Sequence, residues 1–374
     1  MVNEIPERRG SGCFGCLAIL AVLVAVIAFL AGRPLLEDRS GGGPPAAPPV
    51  ASPSRTVTEP SGRRPGVVNI DTEQGLRSTR AAGTGILMDS SGVVLTNNHV
   101  IQGATAIRGT VTDNGRAFTA EVLGYDKSGD IAVIRLRGAA RLRPAVFGDS
   151  RTVLPGDPVT AVGNAGGKGG APTVVTGKVT ALDRQITATD QNDGSTERLT
   201  AMIETDAPIR PGDSGGPLLN TAGQVIGMNT AASVSFRVQQ EGNPRGYAIP
   251  SDRALAVARQ IQRGEGSATV HIGRTPMLGV QVRSPGAAEP GGPPPPATSG
   301  ALIADLIPGT PAEAAGLRPG AVIVALNDRP VDSPATLTDL LLLHHPGDIV
   351  RVGWVDTDGR RYTTPVRLAE GPPQ

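Results

Sequence analysis

Short apolar runs, broken about every ten residues by Gly, Asp, Asn or Pro, fill the chain from residue 66 to residue 265. Runs of this length between frequent turn residues are typical of strands in all-β barrels and sandwiches. Helical periodicity is clear only at 253–262, after the helix-start signal Ser251-Asp252. Aromatic residues make up only 2% of the chain, so Val, Ile, Leu and Ala must build the cores. This segment therefore predicts a pair of small β-barrels.

A different pattern precedes the strands, an uncharged stretch at 14–32 whose central part, Leu17 to Ala31, is entirely apolar. Its nineteen residues are enough to cross a hydrocarbon layer of about 30 Å. We expect a retained transmembrane anchor, with 1–13 as its flank. A cleaved signal peptide and a buried core helix are the alternatives, although no small-x-small cleavage site follows the stretch. Two arginines near each end leave the positive-inside rule little asymmetry with which to orient it.

The segment 33–65 contains eight prolines, a glycine triplet and few large apolar side chains. Such a segment buries too little surface to offset its ordering entropy. We expect a disordered or polyproline-like linker that tethers the next domain to the anchor.

Both cysteines of the chain, Cys13 and Cys16, lie beside or within the expected anchor. They are either acylated juxtamembrane cysteines or simply two small residues at the membrane interface. The rest of the chain contains no cysteine, which excludes disulfides, thiolate zinc sites and a cysteine nucleophile from the globular part.

One constellation within the β-rich segment indicates chemistry. The turn Gly212-Asp213-Ser214-Gly215-Gly216-Pro217 is rich enough in glycine to expose a serine hydroxyl and the adjacent N–H groups. An acyl-transfer serine needs a neutral imidazole as base, and His99 is the histidine that precedes it in this segment. Asp130 opens an apolar strand, where its carboxylate can fix the histidine tautomer. The N–H groups of Gly212 and Ser214 are then the expected oxyanion hole.

The order His, Asp, Ser and the three blocks Thr96-Asn97-Asn98-His99-Val100, Asp130-Ile131-Ala132-Val133 and Gly212–Pro217 resemble the HtrA (Deg) family of chymotrypsin-fold serine proteases. The resemblance implies a mainly β fold, with a chymotrypsin-like double β-barrel at 66–265. It also implies that His99 is the general base, that Asp130 orients it and that Ser214 attacks the scissile carbonyl. Asp126 is the rival carboxylate, but it does not abut the strand as the family motif requires.

Two departures from the family pattern concern the site and its assembly. The family commonly has Asn before the serine, where this chain has Asp213, a carboxylate that would oppose oxyanion charge unless it points away. Family trimers are often held by aromatic residues just before the first strand, and 66–82 has none. The resemblance therefore implies a possible homotrimer, but the aromatic residues that often hold such trimers are absent from 66–82.

The resemblance also indicates which residues line the primary specificity pocket. Pro208 stands six residues before the serine, where a carboxylate would select Lys or Arg. Met228, Asn229 and Thr230 follow in the stretch similar to the pocket-forming loop. We expect small to medium aliphatic residues before the scissile bond.

Residues 276–368 are similar to a PDZ domain, most specifically in the block Pro308-Gly309-Thr310-Pro311-Ala312. We expect one strand at 277–282, with the N–H groups of Leu278, Gly279 and Val280 cradling a peptide carboxylate. A helix at 335–343 would wall the groove. The alternative is that these residues only build a small α+β core, because fold alone does not establish binding.

Several classes of function are excluded or disfavoured. A formal net charge of +1 gives no field for nucleic acid. The glycine-rich run 163–170 lacks the Gly-x4-Gly-Lys spacing and the Ser or Thr of a phosphate loop, and we expect a loop beside the active site. His344 and His345 are adjacent and do not face one ligand, so no metal site is expected. The triad supplies its own base and nucleophile, so no cofactor is implied.

The expected function is a membrane-anchored, single-pass serine endopeptidase of HtrA type with its protease and PDZ domains outside the cytoplasm. Its expected substrates are misfolded or tagged proteins, with peptide C-termini docking at the PDZ domain and the membrane contacted through 14–32. The alternative is a chaperone or adaptor that binds unfolded chains through the PDZ domain with latent proteolysis. A third reading, an inert scaffold, would need a missing triad member.

Overall fold

The computed structural model describes residues 65–75, 79–190, 196–230, 236–238, 245–287 and 295–374. The expected flank and anchor at 1–32, and the linker up to residue 64, lie outside the described residues. Among the described residues, the helices are all too short or too polar to cross a membrane.

The first β-barrel follows directly from the apolar runs seen in the sequence. Its strands are β1 (Val67–Gln74), β2 (Thr79–Leu87), β3 (Val93–Thr96), β4 (Ala106–Val111), β5 (Ala117–Asp126) and β6 (Ile131–Leu136). They pair antiparallel in the circuit β1-β2-β3-β6-β5-β4, which closes through the β1–β4 pair. Between β3 and β4 the helix α1 (Asn98–Ile101) places one short turn of chain at the barrel rim.

The second barrel repeats this topology. Its strands are β7 (Pro158–Gly163), β8 (Thr173–Asp190), β9 (Thr196–Thr205), β10 (Pro217–Leu219), β11 (Val225–Thr230), β12 (Phe236–Val238) and β13 (Gly246–Pro250). The circuit β8-β7-β10-β11-β13-β9 closes through the β8–β9 pair, and β12 extends β8 at the edge. The predicted pair of small barrels is confirmed.

A buried cluster of apolar side chains joins the two barrels to helix α2 (Ser251–Gln262). The helix contributes Ala254, Ala258 and Ile261 to this cluster. The predicted helix at 253–262 is thus present, but its start differs from the cap signal. Ser251 lies inside the helix. The N–H of Asp252 donates to the Oγ of Ser150 at 3.1 Å, so a residue distant in sequence satisfies this N–H group at the start of the helix.

The C-terminal part forms an α+β unit around its own apolar core. Its elements, with the connection before it, are β14 (Val270–Ile272), β15 (Thr275–Met277), β16 (Val280–Arg283), β17 (Ala301–Leu306), α3 (Pro311–Ala314), β18 (Val322–Leu326), β19 (Arg329–Pro330), α4 (Pro334–Leu341), β20 (Ile349–Val355), β21 (Arg361–Arg367) and β22 (Ala369–Gly371). The main sheet has the order β16-β17-β18-β20-β21. Strand β14 extends the first barrel beside β5, and β15 pairs with β22.

One sequence expectation for this unit is wrong in detail. The stretch 277–282 is not one strand, because the strand is interrupted at Leu278 and Gly279, between β15 and β16. Gly279 has φ +90°, and a Cβ there would lie 2.1 Å from the Oγ1 of Thr310. The break therefore depends on a glycine packed against the threonine of the Pro-Gly-Thr-Pro-Ala block.

Candidate active site

His99 and Asp130 lie together at the rim of the first barrel. The Nδ1 atom of His99 is 2.9 Å from Oδ2 and 3.0 Å from Oδ1 of Asp130. The backbone N–H of His99 donates to the same Oδ1 at 3.1 Å. Asp130 is fully buried, and only 5% of the His99 side chain is exposed. A buried carboxylate that accepts from both the main chain and the ring of one histidine fixes the orientation of the imidazole.

The rival carboxylate, Asp126, is engaged elsewhere. Its Oδ1 accepts from the Oγ of Ser128 at 2.7 Å and from the N–H of Gly129 at 3.0 Å. These bonds build the turn that leads into β6, in which Asp130 adopts φ +53°. Asp126 thus shapes the turn that presents Asp130.

Ser214 lies in the turn between β9 and β10, and only 2% of it is exposed. Its carbonyl accepts from the N–H of Thr84 at 2.8 Å. A Cβ on the next residue, Gly215, would lie 2.3 Å from the Oγ1 of Thr96 and 3.2 Å from the N of Asn97. The serine turn of the second barrel therefore packs against the segment that immediately precedes His99 in the first.

The expected oxyanion-hole peptide, between Pro211 and Gly212, is held in one orientation. The carbonyl of Pro211 accepts from the N–H of Gly166 at 2.8 Å. In a trans peptide the N–H points opposite to the carbonyl, so the N–H of Gly212 points away from this loop. Gly212 has φ +98°, and a Cβ there would lie 2.1 Å from the carbonyl oxygen of Asn164. Only glycine fits this position, and the run 163–170 packs beside the site as expected.

The predicted pocket residues occupy different environments. Pro208 is exposed, whereas Met228 is fully buried in the cluster between the barrels. The Oγ1 of Thr230 accepts from the Nδ2 of Asn97 at 3.1 Å. This bond connects strand β11 to the residue that precedes α1.

Asn229, between Met228 and Thr230, holds the serine turn through its main chain. Its carbonyl accepts from the N–H of Gly215 at 2.9 Å, and its N–H donates to the carbonyl of Gly216 at 2.8 Å. Its Nδ2 lies 3.3 Å from the carbonyl of Val162 and 3.2 Å from that of Pro217. The side chain therefore points at main chain of the barrel, and its part in a specificity pocket stays a prediction.

The predicted peptide cradle of the C-terminal unit lies at the break between β15 and β16. The carbonyl of Leu278 accepts from the N–H of Ala312 at 2.9 Å, and that of Gly279 accepts from the N–H of Ile307 at 3.0 Å. Both carbonyls thus face the α3 end of the unit. Val280 begins β16 opposite Leu306. Helix α4 ends at Leu341, two residues before the predicted end of the groove helix.

Comparison with known proteins identifies both units. Residues 83–228 match the trypsin-like peptidase domain family, and residues 302–355 match the PDZ domain family. The serine protease PepD of Mycobacterium tuberculosis is 33% identical over 340 residues, which cover 87% of this chain and 68% of that protein. The chain belongs to the HtrA family of serine proteases, which a relative from Lactococcus lactis represents by name.

Two further relatives of this HtrA protease differ in length from it. The serine protease Do-like HtrA of Lactococcus lactis is 33% identical, with 77% of this chain and 70% of that protein covered. The probable periplasmic serine endoprotease DegP-like of Chlamydia trachomatis is 38% identical, with 78% of this chain but only 54% of that protein covered. The mainly β protease and the PDZ domain expected from the sequence are confirmed.

Asp213, the residue that departs from the family pattern, is 2% exposed. Its Oδ2 accepts from the N–H of Arg210 at 2.9 Å, and its Oδ1 lies 3.0 Å from the Oγ1 of Thr173. That hydroxyl also lies 2.9 Å from the carbonyl of Gly163, and its single proton serves one of the two acceptors. Burial raises the pKa of the Asp213 carboxyl above its ordinary value, and its hydrogen bonds oppose the rise only in part.

We expect Asp213→Asn to stabilise the HtrA protease at neutral pH. With its pKa raised in the folded state, Asp213 favours the fold below its ordinary pKa of 3.8, and this contribution is lost as the pH rises through the folded pKa. An asparagine carries no such cost, and its Nδ2 donates to Thr173 while Thr173 donates to Gly163. Thermal melting from pH 3 to pH 8 should show the variant's advantage growing with pH. An advantage that is constant or shrinks with pH would contradict this.

Two asparagines next to His99 carry contacts that the motif did not predict. The Nδ2 of Asn97 donates to the carbonyl of Asp130 at 2.9 Å, and that of Asn98 donates to the carbonyl of Gln374 at 3.0 Å. Both residues are buried. No local pattern in the sequence indicates these contacts, because each joins residues that are distant along the chain. Among the described residues, no group of three or more His, Cys, Asp or Glu side chains is placed to hold a metal ion.

Proposed function

We propose that this HtrA protease cleaves misfolded or tagged extracytoplasmic proteins by a triad of His99, Asp130 and Ser214. The proposal is carried by one observation, the buried Asp130 carboxylate that binds both Nδ1 and the N–H of His99 beside the serine turn. This arrangement keeps Nε2 of His99 as the proton acceptor. The intact bond between Asp130 and His99 supports proteolysis over the adaptor alternative.

The chemistry proceeds in two acyl-transfer steps. Nε2 of His99 takes the proton of Ser214 Oγ as this oxygen bonds to the scissile carbonyl carbon. The N–H groups of Gly212 and Ser214 stabilise the negative oxygen that forms. His99 then gives its proton to the leaving amine as the peptide bond breaks. Water then attacks the acyl carbon as His99 takes its proton, and the bond from this carbon to Oγ breaks as His99 returns the proton to Oγ, which releases the acid and regenerates the enzyme.

The PDZ domain is proposed to dock peptide C-termini at the cradle of Leu278, Gly279 and Val280. Its support is the break between β15 and β16, where the main chain turns both carbonyls of 278–279 toward α3. A main-chain loop at the end of an accessible strand is the usual way in which such domains capture a carboxylate.

We further propose that residues 14–32 anchor the protein in the cell membrane, with both domains on the extracytoplasmic side. The support is the length and apolarity of that stretch and the linker that follows it. The Chlamydia trachomatis relative is named a probable periplasmic endoprotease, which agrees with that side of the membrane.

The test uses the purified full chain in detergent, unfolded β-casein and a biotinylated fluorophosphonate. Cleavage of casein together with one phosphonyl adduct on the peptide containing Ser214 is expected, because the activated Oγ displaces fluoride from phosphorus. Added peptides with apolar C-termini should increase the cleavage rate if the PDZ domain regulates it. Casein that is bound but not cleaved, with no adduct in any condition, would favour the adaptor alternative.

Cleavage-site mapping tests the specificity prediction. Small to medium aliphatic residues should dominate the position before the scissile bond, because Pro208 offers no carboxylate to a basic side chain. Mass spectrometry of casein fragments gives the distribution directly. Sites that follow mainly Lys or Arg would overturn this assignment.

A further inference from the structure

Thr84, on strand β2, makes four hydrogen bonds around the serine turn while it is fully buried. Its N–H donates to the carbonyl of Ser214 at 2.8 Å, and its carbonyl accepts from the Oγ1 of Thr96 at 2.7 Å. Its Oγ1 donates to the carbonyl of Gly212 at 2.7 Å and accepts from the N–H of Asn164 at 2.9 Å. One residue of the first barrel thus holds main chain on both sides of Asp213 in the second.

The two bonds of the hydroxyl call for a side chain that donates and accepts at once. A hydroxyl supplies one proton and two lone pairs at a single atom, which valine, alanine and glycine lack. The N–H of Asn164 also approaches the carbonyl of Gly212, at 3.3 Å. The hydroxyl of Thr84 therefore closes a small three-membered network of buried polar groups.

This network fixes the dihedral angles of Gly212. The peptide before Gly212 is held by Gly166 through the carbonyl of Pro211, and the peptide after it is held by Thr84. A glycine with φ +98° has little intrinsic preference for that conformation. With both flanking peptide planes bonded, the direction of the Gly212 N–H is set before substrate binds.

We propose that Thr84 is a positioning residue, whose hydroxyl holds the Gly212 N–H in the orientation that stabilises the oxyanion. This inference rests on the proposed function, in which that N–H is one of the two donors. Thr84 does not touch substrate, and its effect reaches the reaction through the orientation of the glycine. The interaction is realised in the transition state, so its loss lowers kcat more than it raises KM.

The test compares Thr84→Val with Thr84→Ser. Valine keeps the branched shape but lacks the hydroxyl, so kcat for a peptide substrate should fall about 10- to 100-fold with KM changed less than about threefold. This loss is smaller than the roughly 10²- to 10³-fold that follows removal of an oxyanion donor itself. Serine keeps the hydroxyl and should restore kcat to within about threefold of the wild type. Affinity for a peptide aldehyde, which forms a tetrahedral adduct, should fall in parallel with kcat.

Thr72→Val is the matched control. Thr72 is also a buried threonine of the first barrel, and its Oγ1 donates to a main-chain carbonyl, that of Ala81, at 3.3 Å. It lies on β1 without a hydrogen bond to the serine turn among the described residues. Its valine variant should lose stability but keep kcat within about twofold. Titration with fluorophosphonate counts the competent enzyme in each sample, so that kcat refers to folded protein.

The outcomes separate this inference from the proposed function. A wild type that never cleaves overturns the proposed function and this inference with it. An active wild type with kcat unchanged in Thr84→Val, or lowered equally in the serine and valine variants, overturns this inference alone. If the valine variant does not fold, Thr84→Cys decides. A thiol hydrogen-bonds only weakly, so the cysteine variant should keep measurable activity with a kcat below those of the serine variant and the wild type. A cysteine variant as active as the wild type contradicts the inference.

Discussion

Replacing Ser214 by alanine is expected to lower kcat/KM for unfolded casein by a factor on the order of 10⁴ or more. Without Oγ no acyl-enzyme forms, and the remaining donors can only polarise a carbonyl for attack by water. The measurement is the initial rate of casein cleavage at matched protein concentrations. The residual rate then reports what substrate binding and the oxyanion hole achieve without a nucleophile.

The alanine variant should fold as the wild type does. The contacts that fix the turn use main-chain atoms, namely the carbonyl of Ser214 and the N–H of Gly215, and alanine keeps both. Equal melting temperatures and equal retention of casein would show that only chemistry is lost. Cleavage by the alanine variant within tenfold of the wild type would mean that another residue is the nucleophile.

Candidate reactive residues can be proposed from the sequence, because their chemistry allows few alternatives, and the structure places two of them, His99 and Asp130, in contact. A chain with four histidines and no cysteine after residue 16 offers a short choice of base and nucleophile. The turn around Ser214 and the strand that follows Asp130 are local patterns, and local patterns survive folding. The barrel strands were likewise visible in the sequence, because a short apolar run between turn residues is a local pattern.

The supporting contacts could not be predicted, because they join residues that are distant in sequence. Thr84 lies 128 residues from Gly212, and Asn98 lies 276 residues from Gln374. A threonine in a strand looks the same in the sequence whether its hydroxyl lies against a carbonyl or against an apolar side chain. Only the closing of both barrels shows which polar side chains meet at their junction.

The break at Gly279 illustrates a third kind of difference. The apolar pattern of 277–282 favours a continuous strand, since Leu and Val alternate with polar or small residues. The positive φ of the glycine and its closeness to Thr310 are tertiary properties that no periodicity contains. The peptide cradle at this position stays a prediction of the family resemblance, whereas the interruption of the strand is an observation.

Asp130→Asn is expected to lower kcat by about 10⁴ while the protein keeps its fold. The N–H of His99 and its Nδ1 both face the carboxylate, at 3.1 Å and 2.9 Å from their nearest oxygens. An asparagine has one oxygen, which accepts from the N–H, and its Nδ2 must then face Nδ1. That amide donates to Nδ1, so the imidazole carries its proton on Nε2 and cannot accept the proton of Ser214.

Asp126→Asn is the matched control, since Asp126 is a buried carboxylate of the same turn whose Oδ1 accepts from Ser128 and Gly129. We expect its kcat to stay within about fivefold of the wild type, because the turn loses only part of its hydrogen bonding. Casein cleavage by both variants, with melting temperatures measured alongside, distinguishes the two carboxylates. A larger loss of kcat in the Asp126 variant than in the Asp130 variant would reverse their roles. The carboxylate that sets the histidine tautomer is the one whose replacement by an amide should hold His99 in the inactive tautomer.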